Sequence, residues 1–175
     1  ATPIPRTLAM SVYGDLDISV IDELPPGRKR IKTIHNYDSN RLKVFKFMSD
    51  EIKKGRQIYV VYPLIEESEK MDYKDLMDGY ESIVRAFPQP KYQISIVHGK
   101  MKAKDKDYEM DRFIKKQTQI MVATTVIEVG VNVPNASTMI IESAERFGLS
   151  QLHQLLSLIH ISEPTRPLYI SYAVF

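Results

Sequence analysis

Over 175 residues, a 43% share of hydrophobic side chains is enough to build the core of one domain, or of one domain plus a fragment of another. With 24 basic and 22 acidic side chains the formal charge is only +2, so composition does not mark a nucleic-acid binder and any such binding must come from local placement. The lack of cysteine excludes disulfide scaffolds and cysteine-ligated zinc, and fits a reducing, cytoplasmic setting.

The chain opens at Ala1 in "ATPIPRTLAM", with no basic segment ahead of an apolar run. No secretory leader is expected, and the text reads as starting part-way through a longer protein. The longest apolar runs, "IYVVYPLI" and "TMII", fall short of the roughly 20 residues that cross a bilayer, so no membrane partner is expected. "ISVIDELPPGRKR" reads as a strand followed by a proline-glycine linker with a basic run, which sets residues 1–30 apart as a separate structural piece.

From Ile31 onward, short β-branched runs alternate with helical patterns. The strands predicted are "IKTIHN", "QIYVVYPL", "YQISIVHG", "QIMVAT" and "STMIIES". Asp38 or Ser39 is expected to cap a first helix carrying Leu42, Phe45, Phe47 or Met48, and Ile52, ended by Gly55. A second helix places Tyr73, Leu76, Met77, Tyr80, Ile83, Val84 and Phe87 at three- and four-residue spacing before Pro88 stops it. A third, from about Ala103 to Lys116, sets Tyr108, Phe113 and Ile114 on a weaker stripe. Strands this uniformly apolar need helices on both faces, so the expected fold is α/β, a doubly wound and mostly parallel sheet. In such sheets function gathers at the carboxyl ends of the strands, here after "ISIV", after "IMVA" and after "MIIES".

Common chemistries leave little trace. The Gly99-Lys100 pair has Ile94 where a phosphate-cradling loop needs its first glycine and Met101 where it needs a hydroxyl. His35, His98, His153 and His160 share no metal-ligand spacing, and no G-x-S-x-G is present. Thr124 and Thr125, at a strand end, either cap a short helix containing Val126 and Ile127 or hold a phosphate through hydroxyl and N–H donors. The runs "GRKRIK" and "KMKAKDK" are either solvated surface or phosphate contacts.

Longer strings carry more. "ATPIPRTLAMSVYGDLDISVIDELPPGRKRIKT", "IYVVYPLIEESE", "SIVHGKMKAKDKDYEMDRF" and "IMVATTVIEVGVNVPNASTMIIESAERFGLSQLHQL" together resemble the RecG family of bacterial ATP-dependent DNA helicases, in superfamily 2, from motif III to the start of motif VI. The Mfd family of transcription-repair coupling translocases shares "ATPIPRTL" and text like "FGLSQLHQL", whereas "DLDISVIDELPPGR" and "TTVIEVGVNVPNA" favour the RecG family. The resemblance implies a RecA-like fold, with residues 1–30 as the end of the first motor lobe and the interlobe linker, and residues 31–155 as a truncated second lobe.

It further implies that Thr2 and Arg6 couple nucleotide state to DNA and that Thr124 and Thr125 grip the DNA backbone. Gly130 would allow close approach at the nucleotide cleft, and Asn132 would stand there where many relatives carry aspartate. Gln154 would open motif VI. No catalytic residue is implied within the chain, because the phosphate loop, the Mg²⁺ carboxylates and the arginine finger are not among its residues. ATP and Mg²⁺ would serve the parent and bind poorly here. The implied partners are forks and Holliday-type junctions of DNA, the first lobe and a wedge domain, in a monomer. A stand-alone, non-enzymatic nucleic-acid-binding module is the competing expectation, distinguished by salt-dependent DNA affinity without a partner lobe.

The end departs from the family text. After "QLHQL", the expected "RGRVGR" is replaced by "LSLIHISEPTRPLYISYAVF". Leu156–Arg166 and Ile170–Phe175 resemble a translated sequencing-library adaptor, with Pro167, Leu168 and Tyr169 as its variable index, so residues 156–175 are read as a non-native tail. The alternative is a genuine last helix turn and a closing strand "PLYISYAVF" laid on the sheet edge. Aromatic and β-branched residues favour such a strand whatever their origin.

Overall fold

A computed structural model of the chain describes residues 31–63, 69–124, 133, 135–160 and 168–171. The expectations placed on residues 1–30, on the side chain of Tyr73, and on Thr125, Gly130 and Asn132 fall outside the described residues or side chains.

All five predicted strands form: β1 (Ile31–Ile34), β2 (Gln57–Tyr62), β3 (Ile94–Val97), β4 (Ile120–Thr124) and β5 (Ala136–Ile141). A sixth, β6 (Leu168–Ser171), joins them. Every pairing is parallel, in the order β1-β6-β5-β2-β4-β3. The closing strand therefore lies inside the sheet, between β1 and β5, and not on its edge as the sequence alternative had it. Parallel strands need crossovers, and four helices supply them: α1 (Arg41–Lys53), α2 (Glu69–Ala86), α3 (Ala103–Ile114) and α4 (Leu149–His160).

Helices cover both faces. On one, Val44 and Met48 of α1 and Leu76 and Ile83 of α2, with Phe87, meet Ile58, Val60, Ile120, Val122 and Ile140. On the other, Phe113 of α3 packs on Val97, Met121 and Ala123, while Leu152 and Leu155 of α4 pack with Phe147 on Val61, Met139 and Ile141. A side chain of this size stabilises by about 1.5–3 kcal/mol when fully buried, and that gain holds the three layers together. Among the described residues no helix is long and apolar enough to cross a membrane.

Three local expectations change. Asp38 and Ser39 do not cap α1: they sit in a single 3₁₀ turn, Asp38–Asn40, and Asn40 precedes the helix without a side-chain cap bond. Leu42 points outward, 82% exposed, because the inward stripe runs through Val44, Met48 and Glu51. Tyr108 and Ile114 of α3 are also exposed, and Met110 takes the inward position beside Phe113. The predicted terminator of α1 is in place: Gly55 adopts φ +78°, and its N–H bonds the Ile52 carbonyl at 2.8 Å.

The amino edge of the sheet is closed by polar pairing. Buried Gln57 donates through Nε2 to the carbonyls of Phe113 (2.7 Å) and Thr118 (2.6 Å), and its Oε1 accepts from Asn135 Nδ2 at 3.3 Å. The Ser95 and Thr118 hydroxyls share a hydrogen bond of 2.9 Å. Glu51, 1% exposed, accepts from Lys54 Nζ at 2.7 Å and from Arg56 Nη1, fixing the turn from α1 into β2.

Candidate functional site

Because all strands run the same way, their carboxyl ends share one edge, and the register sets side chains abreast there. Tyr62 stands opposite Thr124 across β2 and β4. Glu142 follows β5 and donates its N–H to the Val61 carbonyl at 2.9 Å. His98 follows β3. Side chains alternate across a strand, so with Val61 and Ala123 facing α3 and α4, Tyr62 and Thr124 face α1 and α2.

This edge is split by charge. Beyond β3, Lys100, Lys102 and Lys104 are exposed, and Lys106 donates to the Gly99 carbonyl at 3.3 Å. His98 is held below its ordinary pKa, first by burial and then by Lys106 and Lys100. Beyond β2 and β5 the character reverses. A cleft of about 610 Å³ opens between α1, α2 and the turn after β5, with five carboxylates (Asp38, Asp75, Asp78, Glu142, Glu145) against two guanidiniums (Arg41, Arg146).

Inside the cleft, Arg41 lies 3.1 Å from Asp38 and 3.6 Å from Glu142. Burial acts against the guanidinium charge, but Glu142, Tyr62 and Asp38 outweigh it and its pKa rises. Burial raises the pKa of Glu142, with Arg41 only partly offsetting it, and raises that of the Tyr62 phenol. Arg146, in a 3₁₀ turn (Ala144–Arg146), bonds Asp75 of α2 at 2.9 Å. The corner begins at Ser143, whose φ of +48° is left-handed, an uncommon state for a residue with a Cβ. Gly79 lets α2 approach: a Cβ there would run into the Tyr62 ring.

Of the residues singled out by resemblance, Thr124 and Gln154 are described, and the structure does not bring them together. Thr124 is 3% exposed and faces α1 and α2, with no hydrogen-bond partner for its buried hydroxyl among the described residues. Gln154 is exposed on α4, across the sheet. Sequence reasoning missed Arg41, Tyr62, Asp75, Gly79 and Arg146. It pointed to the segment after "MIIES", which supplies Glu142, but no spacing rule links that segment to Arg41 or Asp75.

The parallel sheet with helices on both faces is that of a RecA-like α/β lobe. The helicase conserved C-terminal domain family matches residues 28–158, and the chain belongs to that family. It is 56% identical over 155 residues to the ATP-dependent DNA helicase RecG of Aquifex aeolicus (strain VF5), covering 89% of this chain and 19% of that protein. With RecG of Bacillus subtilis (strain 168) the identity is 50%, over 89% of this chain and 23% of the relative. A solved structure of RecG bound to a three-way DNA junction superposes with a TM-score of 0.74 at 38% identity, over 99% of this chain and 22% of that one. The chain thus spans about a fifth of the length of these relatives.

Proposed function

We propose that this chain is the second motor lobe of a RecG-type helicase. The parent hydrolyses ATP to translocate on double-stranded DNA and remodels stalled forks and branched recombination intermediates. The observation that carries this is the 56% identity over 155 residues to RecG of Aquifex aeolicus, and the superposition on RecG with its three-way junction supports DNA as the partner. No observation favours the Mfd or stand-alone readings over it. In this reading residues 1–30 are the end of the first lobe and the linker, and residues 31–155 are the second lobe. Residues 156–175 are a non-native tail. The parent works as a cytoplasmic monomer carrying a first lobe and a wedge domain.

Phosphoryl transfer between two lobes rests on positioning and charge stabilisation. In the proposed arrangement Thr124 and Thr125 hold the DNA backbone through contacts that impose no sequence preference. Thr2, Arg6, Gly130, Asn132 and Gln154 line or couple to the nucleotide cleft, and Asn132 keeps a hydrogen bond there without the charge of an aspartate. ATP and Mg²⁺ would be held mainly by the first lobe. The cleft described here does not fit a triphosphate, since carboxylates outnumber guanidiniums in it, and no step of hydrolysis is assigned to its residues.

The test compares the purified 175-residue chain with a joined protein, in which residues 1–155 follow a first lobe and continue into the family's "RGRVGR" text in place of residues 156–175, assayed for ATP hydrolysis with and without branched DNA. Turnover is expected only in the joined protein, stimulated by branched DNA. DNA-stimulated hydrolysis by the isolated chain would overturn the assignment of roles, and a joined protein indifferent to DNA would overturn the helicase reading.

A further inference from the structure

We draw no further inference here: the strongest candidate, the lysine-rich surface patch at the carboxyl edge beyond β3 (Lys100, Lys102, Lys104 and Lys106), leads only to contact with the DNA backbone, the partner already proposed above, and the acidic cleft beside it is a cluster of carboxylates with no second observation that points to a ligand.

Discussion

Replacing Gln57 by leucine tests whether the amino edge of the sheet is held by a side-chain amide. The amide donates to two main-chain carbonyls, Phe113 O at the end of α3 and Thr118 O before β4, at 2.7 and 2.6 Å. Gln57 itself is 2% exposed. Leucine fills nearly the same space but removes this donor from the Thr118 carbonyl, at about 1–3 kcal/mol, and one of two bonds from the Phe113 carbonyl, which keeps the Lys116 N–H at 3.0 Å, at about 0.5–1.5 kcal/mol. Asn135 loses one acceptor but keeps the Gly55 carbonyl at 2.8 Å. The gain from burying leucine, about 1–2 kcal/mol, offsets part of this, so a net loss of about 1–3 kcal/mol is expected. With a urea slope of about 2 kcal/mol/M, the unfolding midpoint should fall by about 0.5–1.5 M at unchanged slope. Gln57→Glu adds a sharper signature: a carboxylate facing two carbonyls is repelled unless protonated, so its loss should exceed that of leucine near neutrality and recover in acid. Circular dichroism under urea reads both. A leucine variant within about 0.3 M of the parent midpoint would refute the claim that this amide closes the edge.

Gly79→Ala should destabilise although alanine is the better helix former, because the added methyl meets the Tyr62 ring; the net cost is about 1–2 kcal/mol, and Gly79→Ala with Tyr62→Leu should recover most of it. Arg56→Met leaves buried Glu51 with only the more exposed Lys54 and should cost about 2–4 kcal/mol, against less than about 1 kcal/mol for Lys54→Met, measured by thermal unfolding. Glu142 has its pKa raised above the ordinary carboxylate value of 4.5 by burial, so the folded state favours its protonated form. Its contribution to stability is fully present below about pH 4 and is lost as pH rises through the raised value. Stability measured against Glu142→Gln should therefore decline over that rise, and a difference that stays flat or grows with pH would refute it.

The first five strands were legible because a parallel sheet covered on both faces demands nearly unbroken apolar runs, and "IYVVY" and "IMVA" supply them at its centre. Helix α2 was legible from its stripe through Leu76, Ile83 and Phe87. In the α1 stripe only Leu42 was misread, since Phe45, Met48 and Ile52 all pack on the core. Leu42 looks like a core residue by type, yet a single 3₁₀ turn ahead of the helix rotates it outward and brings in Glu51, a carboxylate that tolerates burial only with Arg56 and Lys54 beside it. The carboxyl edge could be located from strand ends alone, and Thr124 lies on it. The cleft beside it could not: Arg41–Glu142 and Arg146–Asp75 join residues far apart in sequence, and they meet only because β5 lies next to β2.

The placement of β6 carries a consequence for how the molecule assembles. Among the described strands β1, the first, pairs with β6 alone, so within that set it is not seated until the last strand arrives. The β2–β4–β3–β5 group can zip together earlier, since its members are closer in sequence. Nearly the whole described chain must be looped to close the remaining pair, a slow, entropically costly step of the kind that high contact order imposes. On this wiring, one flank of the sheet is a late-latching unit whose hydrogen exchange should run ahead of the centre, and loosening either end should free both.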